Sequence, residues 1–160
     1  MHQTIAIITK ADDQEEALDN AKELFRTEIK EKSTGYDYCI PYNGNVIDRS
    51  GMDIKWEPSL VRSVNGKRII EYIFDAQMDD KLESLKKVRK ELAMYSNEDI
   101  CNGDKTGMLT YNMQYVGAYN GPSVRLYCED FFEVRTRKNL NVVMENTTYY
   151  DWIVPMDSHF

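Results

Sequence analysis

The run from Arg68 to Tyr95, RIIEYIFDAQMDDKLESLKKVRKELAMY, is the longest periodic stretch in the chain and decides how the rest is read. Ile70, Ile73/Phe74, Met78, Leu82, Leu85, Val88, Leu92 and Tyr95 recur at three- and four-residue steps, which predicts one amphipathic helix over about residues 68–95. At 1.5 Å per residue that helix is roughly 40 Å long, enough to cross a small domain. Glu71, Asp75, Asp79 and Asp80 occupy its first half, and Lys86, Lys87, Arg89 and Lys90 its second. This order complements the helix dipole and describes a solvated face. The sharper alternative is an anion-contacting patch, extended by Arg135, Arg137 and Lys138 if these lie nearby.

Working outward, 160 residues make one ordinary domain, able to bury about two thirds of its unfolded surface without a metal or disulfide. Twenty-seven acids against 20 bases give a net charge of −7, which disfavours non-specific binding to nucleic acid or anionic membrane. Cys39, Cys101 and Cys128 are odd in number and form no CxxC pair, so a reducing cytoplasm is expected and no cofactor or metal is called for. The opening residues lack the basic lead and long apolar run of a signal peptide, and nowhere do 18 apolar residues run together.

Thr4–Thr9, rich in isoleucine, reads as a central strand buried on both faces. Asp12 or Asp13 caps a helix that runs to about Lys32 through Leu18, Ala21, Leu24/Phe25 and Ile29. A short strand over 36–42 ends at Pro41, and Asn43-Gly44-Asn45 offers a turn from which Val46 and Ile47 pair back as a hairpin. Residues 48–66 read as an ordered loop, in which Trp56 either pins the loop to the body or walls a binding site. Residues 96–107 read as a polar connection without the spacing of a Walker or calcium loop. Met108, Tyr111, Tyr115/Val116 and Tyr119 recur at helical steps, with a tyrosine-rich strand as the alternative. Val124–Cys128 is a strand with Arg125 and Tyr127 on one face; 139–146 is a short helix; Tyr150–Val154 is a last strand ended by Pro155. The fold expected is a single α/β domain: a four- or five-stranded mixed sheet covered by helices, with one long central helix.

With these elements placed, Gly121-Pro122-Ser123-Val124-x-Leu126-Tyr127, Trp152-Ile153-Val154-Pro155-x-Asp157-x-His159-Phe160 and His2-Gln3-Thr4-Ile5-Ala6-Ile7 resemble a group of uncharacterised small haloarchaeal proteins, over about a third of the chain. The resemblance implies an archaeal or archaeal-virus setting and no activity.

Candidate chemistry is sparse. His2 and His159 approach one another if the first and last strands are neighbours, with Asp157 as a third ligand or proton partner. Glu129 and Asp130 follow a strand end, where α/β proteins meet ligands, and Arg125, Arg135 and Arg137 could complete a polar cluster there. Eleven tyrosines suit a contact surface, since tyrosine gives area at little entropic cost. The leading expectation is a non-catalytic binding or regulatory protein, acting through Tyr111, Tyr115 and Tyr119 on a protein partner or a second copy of itself. The alternative is a nucleotide- or phosphate-binding sensor or hydrolase, with Arg125, Arg135 and Arg137 holding the anion, Asp157 or His159 moving a proton, and Trp56 as a wall. A third is an acidic inhibitor that mimics nucleic acid.

Overall fold

Strand β1 (His2–Lys10) sits at the centre of the sheet because both of its faces are buried. Ile5 and Ile7 enter one core, and Ala6 and Ile8 enter the other. The computed structural model describes residues 2–32, 36–42, 44–47, 50–103, 106–113, 124–129 and 132–159. Among them the sheet runs β2 (Tyr38–Pro41), β8 (Asp151–His159), β1, β6 (Val124–Cys128), β7 (Phe132–Glu133), with the short β5 (Ser59–Leu60) also on β8. Only β1 and β6 pair in parallel, so the sheet is mixed. This is the single-domain α/β architecture, with its long helix, that the periodicities predict.

Helix α1 (Gln14–Leu24) opens on Asp13, whose carboxylate accepts from the Glu16 amide at 2.9 Å, and the Glu16 side chain answers from the Asp12 amide. Its buried residues, Ala17, Ala21, Phe25 and Ile29, are each four apart, a spacing that drifts about 40° per step around an α-helix. The wider π-helical segment Phe25–Ile29 unwinds that drift and keeps the stripe on the sheet before α2 (Lys30–Lys32) completes the helix.

The opposite face carries α3 (Val64–Met94), α6 (Arg137–Asn146) and a hairpin of β3 (Gly44–Ile47) with β4 (Asp53–Trp56). Residues 48–66 are therefore not all loop, and β3 pairs forward with β4 rather than back with β2. Ile54 and Trp56 drive this pairing, since both are fully buried under α3. The long helix starts at Val64, four residues earlier than its apolar period suggests, because Ser63 caps it through the Gly66 amide at 3.0 Å. Asn65 then imitates a strand neighbour of β4, accepting from the Lys55 amide and donating to its carbonyl.

Pro155 does not end β8. Its carbonyl accepts from the Tyr42 amide, so its nitrogen faces the same edge, past the end of β2 and short of β5, where the sheet needs no donor. The connection after α3 also differs from expectation, since α4 (Asn97–Asn102) forms there under a capping box of Ser96 and Asp99, followed by α5 (Gly107–Met113).

The apolar stripe of α3 divides in two. Gly66, Ile69, Ile70, Ile73, Phe74, Gln77, Ser84 and Val88 turn inward, while Leu92 (46% exposed), Met78 (52%) and Leu82 (46%) lie from roughly a fifth to two fifths of a turn round and face out. Its membership of the sheet core stops at Phe74 and Ala76. A helix of 31 residues is roughly 46 Å long against about 30 Å for the nine-residue strands, so the far half of α3 leaves the sheet and packs on α5. There Val88 and Leu109 are buried, and the Asn112 amide donates to Glu91 at 2.9 Å.

Gly66 sets how closely α3 docks. A Cβ at this position meets the Leu60 carbonyl oxygen at 2.1 Å and Val61 Cα at 3.1 Å. Gly66→Ala will therefore lower stability by about 1–3 kcal/mol through overpacking, despite the better helix propensity of alanine. Urea unfolding checks this, and a stabilised variant would show that the α3–β5 contact gives way freely.

Candidate functional site

The residues with chemical potential fall into two polar clusters on opposite faces of the sheet, and a third, apolar surface lies on the arm built by the far half of α3 with α4 and α5.

The first cluster lies where β6 meets β7. Register places Tyr127 beside Glu133, on the face that α1 covers. The Glu133 carboxylate accepts from Arg135 Nε at 2.9 Å and Nη2 at 2.6 Å, and Arg125 Nη1 stands 3.9 Å away. Glu133 is 8% exposed, so the two arginines offset the cost of burying its charge. The Tyr36 and Tyr127 hydroxyls meet at 3.3 Å. Burial, and then the neighbouring Tyr127, push the Tyr36 ionisation upward. Lys81 reaches across from α3 to the Arg135 carbonyl at 3.1 Å; burial, and then Arg135, pull its ammonium downward. The local charge is positive within an acidic chain. Arg125 Nε is buried without a hydrogen-bond partner.

Arg137 stands apart from these, at the start of α6. It pairs with Glu71 at 3.2 Å and lies 5.0 Å from the centre of the Phe74 ring, so it is bound to the side of α3.

The second cluster is at the other end of the sheet, on the α3 face. His159 Nδ1 is 3.1 Å from Asp37 Oδ2, and the His159 ring stacks on Tyr38 with centres 5.1 Å apart. The first and last strands are indeed neighbours, and the ladder sets His2 opposite His159 and Thr4 opposite Asp157. Arg125 is opposite Ile5, so it projects from the face opposite that of Asp157 and His159. A substrate held by Arg125 is thereby separated by the sheet from these proton carriers.

Nor do the arginines gather where the parallel strands end. The small cavity at that end is lined by Lys10, Glu129, Asp151, Asn146 and Thr147, without an arginine, whereas Arg125 is one residue from the start of β6. Asp130 lies outside the described residues. A cleft between α1 and the β4–β5 corner carries Asp13, Glu15 and Glu57 around Leu18 and Tyr42, and is acidic. Trp56 is 1% exposed, edge-on to Tyr42 and Tyr72, so it fixes the hairpin beneath α3 and presents no wall to a ligand. Among the described residues no group of three or more His, Cys, Asp or Glu side chains converges as for a metal, and no helix is long and apolar enough to cross a membrane.

The third surface was only partly visible in the sequence. Tyr111 is 51% exposed on α5, while Tyr115 and Tyr119 lie outside the described residues. Around Tyr111 the arm exposes Met108 and Met113, and α3 adds Met78, Leu82, Leu92 and Met94. The missed signal is the step 78–82–85–89–92, which alternates four and three residues and marks a second helical seam. Glu133 was missed too, although Phe132-Glu133-Val134-Arg135 alternates as a strand should.

A family model described as Domain of unknown function (DUF7995) matches residues 1–160. The chain belongs to this family. No curated protein and no solved structure matches it.

Two outcomes follow from the geometry of this DUF7995 chain. Glu133→Gln will destabilise by about 1–3 kcal/mol, because Arg125 and Arg135 lose their common counter-charge in a largely buried place; a neutral result in thermal unfolding would show that solvent already screens the cluster. Cys101 is exposed, whereas burial pushes the Cys39 thiol up to about 12 and Cys128 is buried. Iodoacetamide at pH 8 will therefore label Cys101 first, with Cys39 and Cys128 modified only on unfolding, as mass spectrometry of timed samples will show.

Proposed function

We propose that this chain is a non-catalytic binding protein that acts through the helical arm, with the outward side of α3 and the exposed face of α5 as its contact surface. The observation that carries this is the distribution of apolar exposure: Met78, Leu82, Met108 and Tyr111 are 46–57% exposed, on two helices that project beyond the sheet. Apolar side chains grouped in this way favour removal from water by a partner. Methionine and tyrosine suit such a surface, the one adaptable and the other broad with a polar tip.

The polar clusters support the same reading from the other side. Arg135 is engaged by Glu133 and Arg137 by Glu71, and Asp157 and His159 lie across the sheet from Arg125. A hydrolase or phosphate sensor needs its anion-holding and proton-moving groups within one site. The net charge of −7 and three cysteines without a pairing pattern fit a reducing cytoplasm, and the resemblance noted above suggests an archaeal or archaeal-virus one.

A photocrosslinking residue at position 82, compared with one at Glu15 on α1, tests the arm directly in cells expressing the full chain. A discrete protein adduct from position 82 and none from position 15 is expected. Equal yields of adduct from both, or none from position 82, would overturn the assignment.

A further inference from the structure

The outward seam of α3 carries its own complement. Asp75, Met78, Leu82, Leu85 and Arg89 fall on one side of the helix, at steps of three, four, three and four. Read in that order, the seam is acidic, then apolar, then basic. Leu82 is at its centre: Asp75 lies seven residues before it and Arg89 seven after, and Lys86 reinforces the basic end. Met78 and Leu82 are about half exposed, Leu85 is half-buried, and Arg89 and Lys86 are exposed. The first-half acids and second-half bases lie on a helix that outgrows the sheet.

We infer that the partner of this surface is a second copy of the chain, docked by antiparallel packing of α3 on α3 about a two-fold axis at Leu82. Reversing the helix is the operation that sets the acidic end of one copy against the basic end of the other, bringing Asp75 opposite Arg89 on both sides of the axis. A parallel pairing sets acid on acid and base on base, which costs affinity. The two-fold contact is closed, so it yields a dimer and not a filament. Between the charged ends, Met78, Leu82 and Leu85 of the two copies cover one another. This inference rests on the arm being the contact surface and adds what occupies it.

Sedimentation equilibrium of the purified full chain, between about 1 and 100 µM, reads the association. A species of twice the 18.7 kDa chain mass is expected. Leu82→Glu will abolish it while leaving circular dichroism, and the unfolding midpoint measured on dilute monomer, unchanged. Asp75→Lys and Arg89→Glu will each weaken it by about tenfold or more, because each single variant faces two like-charge contacts. An equimolar mixture of those two variants will restore the dimer, since the reversed charges meet only in the mixed, antiparallel pair. A chain that stays monomeric at 100 µM, or a dimer without rescue on mixing, overturns the antiparallel self-pairing. The crosslinking from position 82 is read independently: an adduct with a different protein would keep the arm as a binding surface while excluding a second copy as its occupant. A dimer indifferent to Leu82→Glu, with no adduct from position 82, overturns both.

Discussion

Two-sided burial of β1 is the constraint from which the rest of the architecture follows. With Ile5 and Ile7 on one face and Ala6 and Ile8 on the other, all at 4% exposure or less, neither side of the central strand can be left to water. The chain must therefore supply a helical layer to each face. α1 with its π segment closes one, where Tyr127, Val154 and Met156 join Ile5 and Ile7. α3, α6 and the β3–β4 hairpin close the other around Trp56, Ile69 and Ile153. Because successive residues of a strand alternate faces, the same constraint sorts the polar residues, sending Arg125 to one side and Asp157 and His159 to the other. The separation of the two polar clusters is a consequence of strand parity.

The length of α3 is the second constraint, and it acts against the first. A sheet of short strands offers a limited surface to a crossing helix, and α3 uses its own first half to fill it, from Gly66 pressed on Leu60 to Phe74. Beyond that, among the described residues, the helix packs on α5, which is seven residues long and buries Leu109 and Asn112. Isolated helices of ordinary composition are marginal in water. The far half of α3 is held by continuity with the docked half, by Val88 and by the Asn112–Glu91 contact, and it retains apolar residues that none of these contacts uses.

Much of this was legible in the sequence, and what was not had identifiable causes. The central strand, the capped first helix, the long helix and the parity of Arg125 and Tyr127 follow from local periodicity, which is why they read correctly. Pro155 misled because a missing donor matters only where the neighbouring strand needs it, and what stands beside Pro155 is set by the ends of β2 and β5. Gly66 was read as the end of a loop because glycine in a helix costs stability, and the reason to accept that cost, the close approach of the Leu60 carbonyl, is set by tertiary packing and not by any local pattern. Trp56 offered two readings that only burial separates. For the candidate site, the arginines were found singly, but their partners, Glu133 and Glu71, are fixed by pairing between distant segments.

Catalytic sites and binding surfaces leave opposite marks on a fold. A catalytic site holds polar groups in a cleft, with displaced acidities and partners arranged for a reacting molecule. A binding surface exposes apolar groups that the monomer has no means to cover. In this chain the acidic and basic groups of interest are largely spent on one another: Arg135 on Glu133, Arg137 on Glu71, His159 on Asp37. Tyr36, Cys39 and Lys81 owe their displaced acidities first to burial, the first two within the α1-side core. An exposed apolar surface lies instead on the far half of α3. The charge order along that helix gives this surface a direction as well as an area, and a direction is what a specific association requires over mere adhesion.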